Sequence, residues 1–204
     1  MVVNRIIGIT GNICTGKSAM ANILIKTGAK VQSHDIFLYS AYANSKCQEE
    51  IVSHFGDAVL VDGSVDRTSL KMYLKEHPEE CKRLWDITDK YVDPLVEKFL
   101  QENDGLSFFE CAPLYEKAWN FFCEQVITCY VPDQIRILRL MERAKKRDDF
   151  SLSEEEAIAI IRQQAMSQEE KMKRADFVIN NSANFESLER QTVHLYNYLR
   201  REGE

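Results

Sequence analysis

The sequence predicts an α/β fold, a five-stranded, mostly parallel sheet flanked by helices. Five short apolar stretches alternate with helix-forming segments along its 204 residues. The first stretch runs into Gly11-Asn12-Ile13-Cys14-Thr15-Gly16-Lys17-Ser18, which fits the pattern Gly-x-x-x-x-Gly-Lys-Ser/Thr and joins a strand to a helix start. The second and third strands are separated by a long, mainly helical excursion, which marks an inserted subdomain.

Arg5-Ile6-Ile7-Gly8-Ile9-Thr10 is apolar and β-branched, the composition of a buried strand. Ala19 to Ile25 follows the glycine-rich loop with apolar residues at helical spacing, and Gly28 is placed to end that helix. Ala29 to Ser33 reads as the second strand, with His34-Asp35 at its C-terminal end and a helix from Ile36. The excursion then reads as helices over Cys47–Phe55, Thr68–Glu76 and Pro78–Asn103, interrupted by a turn-rich break with a reverse turn at Asp62-Gly63. Leu106 to Ala112 is a third buried strand ended by Pro113, followed by a helix carrying Trp119, Phe121 and Phe122. Gln125 to Val131 is the fourth strand, and Asp133 caps a helix rich in arginine and lysine. Ser153-Glu154-Glu155-Glu156 is a capping box for the next helix. Asp176 to Asn180 is the fifth strand, and an amphipathic helix closes the chain near Arg200. There is no internal repeat and no low-complexity segment.

A net charge of −6 argues against bulk nucleic-acid binding, which needs many phosphates neutralised. It leaves room for a small anion, because a local cluster of donors suffices. Cys14, Cys47, Cys81, Cys111, Cys123 and Cys129 show no Cys-x-x-Cys pair and no metal-ligand spacing with histidine. With no signal-peptide pattern and no apolar run long enough to span a bilayer, the expectation is a cytoplasmic protein with reduced thiols and no membrane partner.

The loop is where chemistry is expected. Free backbone N–H groups and the helix dipole favour anions at a strand-to-helix junction. Gly11 and Gly16 permit close approach to phosphates, Lys17 suits the β- and γ-phosphates, and the Ser18 hydroxyl suits Mg²⁺. These point to a nucleoside triphosphate with Mg²⁺. No Asn-Lys-x-Asp guanine-reading motif is present, and a motor or helicase usually needs more chain. Small kinases remain, which cover the transferred group with an arginine-rich flap. The basic helix with Arg139, Arg143 and Arg147 has that composition, as does any solvated basic helix face.

Gly8-Ile9-Thr10-Gly11 with Gly16-Lys17-Ser18, then Phe55-Gly56, Asp62-Gly63, Asp66-Arg67 and Leu70, then Pro113-Leu114 with Glu116, Arg143, Arg147-Asp148 and Ala175 to Asn181 form a series. In this series the chain resembles the dephospho-CoA kinases from Ile7 to about Leu199. The resemblance implies a phosphate-loop kinase with a helical substrate-binding insert and a helical lid. Its core would comprise residues 1–35, 104–135 and 175–204, its insert residues 36–103, and its lid with flanking helices residues 136–174.

The resemblance also implies roles. Residues Gly11, Asn12, Ile13, Cys14, Thr15, Gly16, Lys17, Ser18 and Ala19, with Asn181 near the adenine, would bind ATP, and Ser18 would hold Mg²⁺. Thr10, Asp35, Arg67, Pro113 and Leu114 would meet dephospho-CoA. Asp35 would take the ribose hydroxyl proton, with Lys17, Arg143 and Arg147 stabilising charge. The pattern is not kept throughout. Ser33 stands where an Asp-x-Asp pair has its first acid, and Asp93-Pro94 replaces His-Pro. Asn12 and Cys14 replace glycines, so the loop must hold a non-glycine in an unusual conformation, which asparagine tolerates. The glutamine expected near the end of the flap falls at Gln163 or Gln164. A kinase for a nucleoside monophosphate or another alcohol, and a degenerate ATP-binding protein, remain the competing expectations.

Overall fold

The computed structural model describes residues 5–102, 105–148 and 151–201. Its elements in order are β1 (Arg5–Thr10), α1 (Lys17–Lys26), β2 (Lys30–Ser33), α2 (His34–Ala43) and α3 (Ser45–Phe55). They continue with β3 (Leu60–Val61), β4 (Ser64–Val65), α4 (Arg67–Glu76), α5 (Cys81–Glu102), β5 (Leu106–Glu110) and β6 (Gln125–Tyr130). The last are α6 (Asp133–Asp148), α7 (Glu154–Arg162), α8 (Gln168–Arg174), β7 (Phe177–Asn180) and α9 (Phe185–Arg201).

Residues up to Ser33 together with those after Glu102 form one compact unit, and His34–Glu102 form a second. The second unit begins two residues and ends one residue before the expected insert of 36–103, and residues 136–174, expected as a lid with flanking helices, belong to the first unit. In the first unit five strands lie in the order β2-β5-β1-β6-β7, and every neighbouring pair is parallel. β1 is central and all six of its residues are buried, which is why its sequence reads as continuous and not alternating. On one face Ile7, Ile9, Phe108 and Ile127 pack against Met20, Ile23 and Leu24 of α1 and Leu188, Leu195 and Leu199 of α9. On the other, Phe109 meets Trp119 edge-on at 6.0 Å between ring centroids.

Parallel pairing forces the chain to cross over between strands, and all five carboxyl ends lie along one edge. The loop after the central strand opens on that edge. Two local expectations are corrected. The third strand stops at Glu110, two residues short of Ala112, and the helix expected around Trp119 is a single tight 3₁₀ turn, Trp119–Phe122. Ala118 adopts φ 57° just before it, a left-handed residue that an α-helix cannot contain.

The second unit is helical with one hairpin. Asp62 (φ 49°) and Gly63 (φ 76°) make the two-residue left-handed turn that joins β3 to β4. Asn44 caps α3, and Asp66 caps α4 by accepting from the Ser69 amide at 2.6 Å. α5 continues through Pro94, burying Leu84, Ile87, Val92, Val96 and Leu100 along one stripe. No helix among the described residues is long and apolar enough to cross a membrane.

Candidate active site

The loop from Gly11 to Gly16 is bent back on itself. The Asn12 carbonyl accepts from the Thr15 hydroxyl (2.8 Å), the Thr15 amide (3.3 Å) and the Lys17 ammonium (3.3 Å). Gly11 has φ 140°, and a Cβ there would lie 2.7 Å from the Cys129 carbonyl oxygen, so glycine is required by both dihedral and space. Side chains cap α3, α4, α7 and α8, whereas α1 begins at a left-handed Gly16 with no side-chain cap. Its first-turn amides are left for a ligand, and the positive end of the helix dipole faces the same place.

Of the two loop positions where glycine is replaced, Cys14 is the one with positive φ, at 62°. Its side chain is compensated by packing, with Ile13, against the cluster of Leu140, Leu152, Ala157 and Ile161. Asn12 is buried, and its amide donates to the Met166 carbonyl at 2.9 Å.

Below the loop lies a carboxylate that sequence reasoning passed over. Glu110 ends β5 with only 8% of its surface exposed. One of its oxygens accepts from the Ser18 hydroxyl at 3.1 Å and the other from the Ser33 hydroxyl at 2.5 Å. Withdrawal from solvent pulls the Lys17 pKa below the ordinary lysine value, against an opposing pull from Glu110. Cys129 is also near, but burial pushes its thiol up to about 12, so it is neutral near pH 7. A lone acid at the carboxyl end of a buried strand was the available signal for Glu110.

The basic helix fastens to the loop from above. Arg136, 2% exposed, donates to the Ile13 carbonyl (3.1 Å), to Asp133 (2.7 Å) and to Gln164 (2.5 Å). The same Gln164 oxygen accepts from the Ile13 amide at 3.2 Å, so Gln164 and not Gln163 is the glutamine engaged with the loop. Arg139 donates to the carbonyls of Asn181 (2.9 Å) and Cys14 (3.4 Å). Neither Arg136 nor Arg139 was among the predicted site residues; a buried cation looks in sequence like any other charge on a basic face.

The remaining predicted residues fall in several settings. Asn181 is buried, and its side-chain amide donates to the Thr15 carbonyl at 2.9 Å, bracing the loop instead of facing outward. Thr10 is buried, and its hydroxyl donates to the Ala112 carbonyl at 3.0 Å. The buried Lys171 donates to that carbonyl too, at 2.6 Å, and pairs with Glu116 at 2.9 Å, holding the turn that contains Pro113. Leu114 is fully buried, its Cδ2 filling the space over Gly8, so its side chain serves the core. Arg143 is exposed on α6; Arg147 is also on α6, and its side chain lies outside the described residues. In the second unit α2 starts at His34, two residues before the expected start, so Asp35 is an exposed residue of the first helical turn. Arg67 stacks 4.2 Å over the Tyr39 ring, with Tyr42 at 5.7 Å.

No group of three or more His, Cys, Asp or Glu among the described residues is arranged to hold a metal. Mg²⁺ does not need one, since it keeps waters and takes one or two protein oxygens alongside substrate phosphates. The Ser18 hydroxyl at the loop edge fits that requirement, as a hydroxyl that donates its proton still offers lone pairs.

A parallel sheet in this order, with an uncapped helix start after its central strand and a basic helix clasping the loop, defines a phosphate-loop kinase. The dephospho-CoA kinase family profile matches residues 5–187, and the chain belongs to that family. It is 31% identical over 203 residues to the dephospho-CoA kinase of Listeria monocytogenes, covering 97% of this chain and 96% of that protein. It is 36% identical to the dephospho-CoA kinase of Thermus thermophilus over 190 residues, 91% of this chain and 87% of that protein. Among solved structures, the dephospho-CoA kinase of Campylobacter jejuni superposes with a TM-score of 0.69 at 26% identity, covering 98% of each chain. A shikimate kinase from Acinetobacter baumannii shares the fold alone, at a TM-score of 0.54, 11% identity, and 97% and 94% of the two chains.

Proposed function

We propose that this chain transfers the γ-phosphoryl group of ATP to the ribose 3′-hydroxyl of dephospho-CoA, giving coenzyme A and ADP. One observation carries the reading: the uncapped start of α1, behind a loop bent for anions, in a chain that belongs to the dephospho-CoA kinase family. The loop amides from Gly11 to Ser18 receive the phosphates, and Lys17 exchanges its contact with the Asn12 carbonyl for phosphate oxygens. Mg²⁺, when bound, would supply charge neutralisation to the phosphates, and Ser18 is the residue that would hold it. The hydroxyl oxygen attacks the γ-phosphorus as the bond to the β–γ bridging oxygen breaks. Asp35 orients that hydroxyl and receives its proton, and Arg143 and Arg147 offset charge on the transferring group. Arg67 and the Pro113 turn meet the acceptor.

ADP release from ATP and Mg²⁺, measured with and without dephospho-CoA, tests the reading, with the product identified by mass. Strong stimulation with formation of coenzyme A is expected. ATP binding with no stimulation overturns the acceptor assignment.

A further inference from the structure

We propose that Lys171 is a positioning residue for the acceptor: by holding the Ala112 carbonyl it sets the attitude of the Pro113 ring that dephospho-CoA meets. Lys171 lies on α8 and is 3% exposed. Its ammonium donates to the Ala112 carbonyl at 2.6 Å and pairs with Glu116 at 2.9 Å. The Thr10 hydroxyl donates to the same carbonyl at 3.0 Å, so the end of β1 and the middle of α8 grip one oxygen together.

That oxygen matters because of the residue after it. The peptide bond between Ala112 and Pro113 is planar, and its plane contains the proline nitrogen and the two ring carbons bonded to it. Fixing the carbonyl therefore fixes where the ring lies, in a stretch, residues 112–118, that is built of turns. Glu116 compensates the buried ammonium, and the carbonyl contact gives that ammonium its direction. The residues just before α8 serve the nucleotide side. The Met166 carbonyl accepts from the Asn12 side-chain amide at 2.9 Å, and Gln164 accepts from the Ile13 amide at 3.2 Å. Residues 164–171 thus tie the phosphate-binding loop at one end and the Pro113 turn at the other. Burial is the main cause of the lowered Lys17 pKa, and the positive charge of Lys171 adds to it, so the two lysines lie close to each other. A displaced Pro113 shifts the acceptor hydroxyl relative to the γ-phosphate, and reaction geometry tolerates little of that.

This inference rests on the reading that dephospho-CoA is the acceptor and meets the Pro113 turn, and the test separates the two. Initial rates against dephospho-CoA give kcat/KM, and ATP binding is measured separately by titration calorimetry. Lys171→Met is expected to lower kcat/KM for dephospho-CoA at least about tenfold, while ATP affinity stays within about threefold of the unaltered chain. Glu116→Gln loses the ion pair but keeps the ammonium on the Ala112 carbonyl, and its kcat/KM is expected to fall by less than about threefold. A merely structural ion pair would move both variants alike. Lys171→Met combined with Glu116→Leu leaves no unpaired buried acid, is expected to show the same tenfold loss, and carries the test if the single variant does not fold. A loss below about threefold in the folded variant lacking Lys171, or an equal loss in Glu116→Gln, overturns the proposal. Turnover of dephospho-CoA by the unaltered chain then leaves the functional reading standing. An unaltered chain that does not turn over dephospho-CoA overturns both.

Discussion

The side-chain amide of Asn181 donates to the Thr15 carbonyl and, in doing so, occupies the space that a β-carbon on Gly16 would need. The phosphate-binding loop is therefore shaped from outside as much as by its own glycines. A residue at the end of β7 fixes a carbonyl within the loop, and only glycine, at φ 106°, can pass beneath it.

Gly16→Ala is expected to weaken ATP binding at least about tenfold, since the dihedral alone costs about 1–2 kcal/mol. Adding Asn181→Ala removes the obstructing amide and recovers part of the loss. Titration calorimetry on both variants decides this, and an undiminished affinity in Gly16→Ala would contradict the close approach.

Lys17 makes ATP binding weaken at alkaline pH. Its folded-state pKa lies below the ordinary value of 10.5, so between the two values the unfolded chain holds the extra proton. In the empty protein this residue's contribution to stability therefore rises with pH across that window and is flat below it. ATP needs the charged form, so affinity falls as pH rises through the lowered value. Lys17→Arg is expected to abolish that alkaline fall, because a guanidinium stays charged, whatever it does to turnover. Affinity measured from pH 7 to 10 in both proteins checks the sign.

Cys14 holds a left-handed conformation and packs on the α6–α7 cluster. Cys14→Val, β-branched at positive φ, is expected to lose about 1–2 kcal/mol of stability. Cys14→Gly relieves strain but forfeits packing and adds freedom to the unfolded chain, so it is expected to lie within about 1 kcal/mol of the parent. Urea denaturation separates the two.

Arg136 joins the loop to α6 and Gln164 through three groups. Arg136→Met is expected to cost about 1.5–3 kcal/mol in stability and to weaken ATP binding. Arg136→Lys recovers little, because one ammonium cannot reproduce the planar fork. Wild-type affinity in Arg136→Met would mean that the clasp does not shape the loop.

Asp35→Asn is expected to lower turnover by about 10²- to 10⁴-fold while leaving ATP affinity intact, the pattern of a lost general base. Equal losses in ATP binding and turnover would assign Asp35 a structural role.

Much of this was legible in the chain. The continuous apolar run of β1, the spacing of Gly11, Gly16, Lys17 and Ser18, the Asp62-Gly63 turn and the Ser153 capping box are local features, written in neighbouring residues. The short helix expected at Trp119 failed because aromatic residues at helical spacing could not reveal that Ala118 turns left-handed and stops it. Asn181 illustrates the other limit. Its place at a strand end was readable, but its direction toward Thr15 was not.

By itself the sequence determined the α/β alternation, the anion-binding loop and the family resemblance, because these depend on the order and spacing of residues close together in the chain. Tertiary structure decided which polar groups meet. Glu110 lies 92 residues from Ser18 and 77 from Ser33, and Arg136 lies 123 from Ile13. Parallel pairing of β2 with β5, and packing of α6 over the loop, bring them within hydrogen-bond reach. Such partners carry no periodicity along the chain, since contact between them is set by the register of strands and the seating of helices.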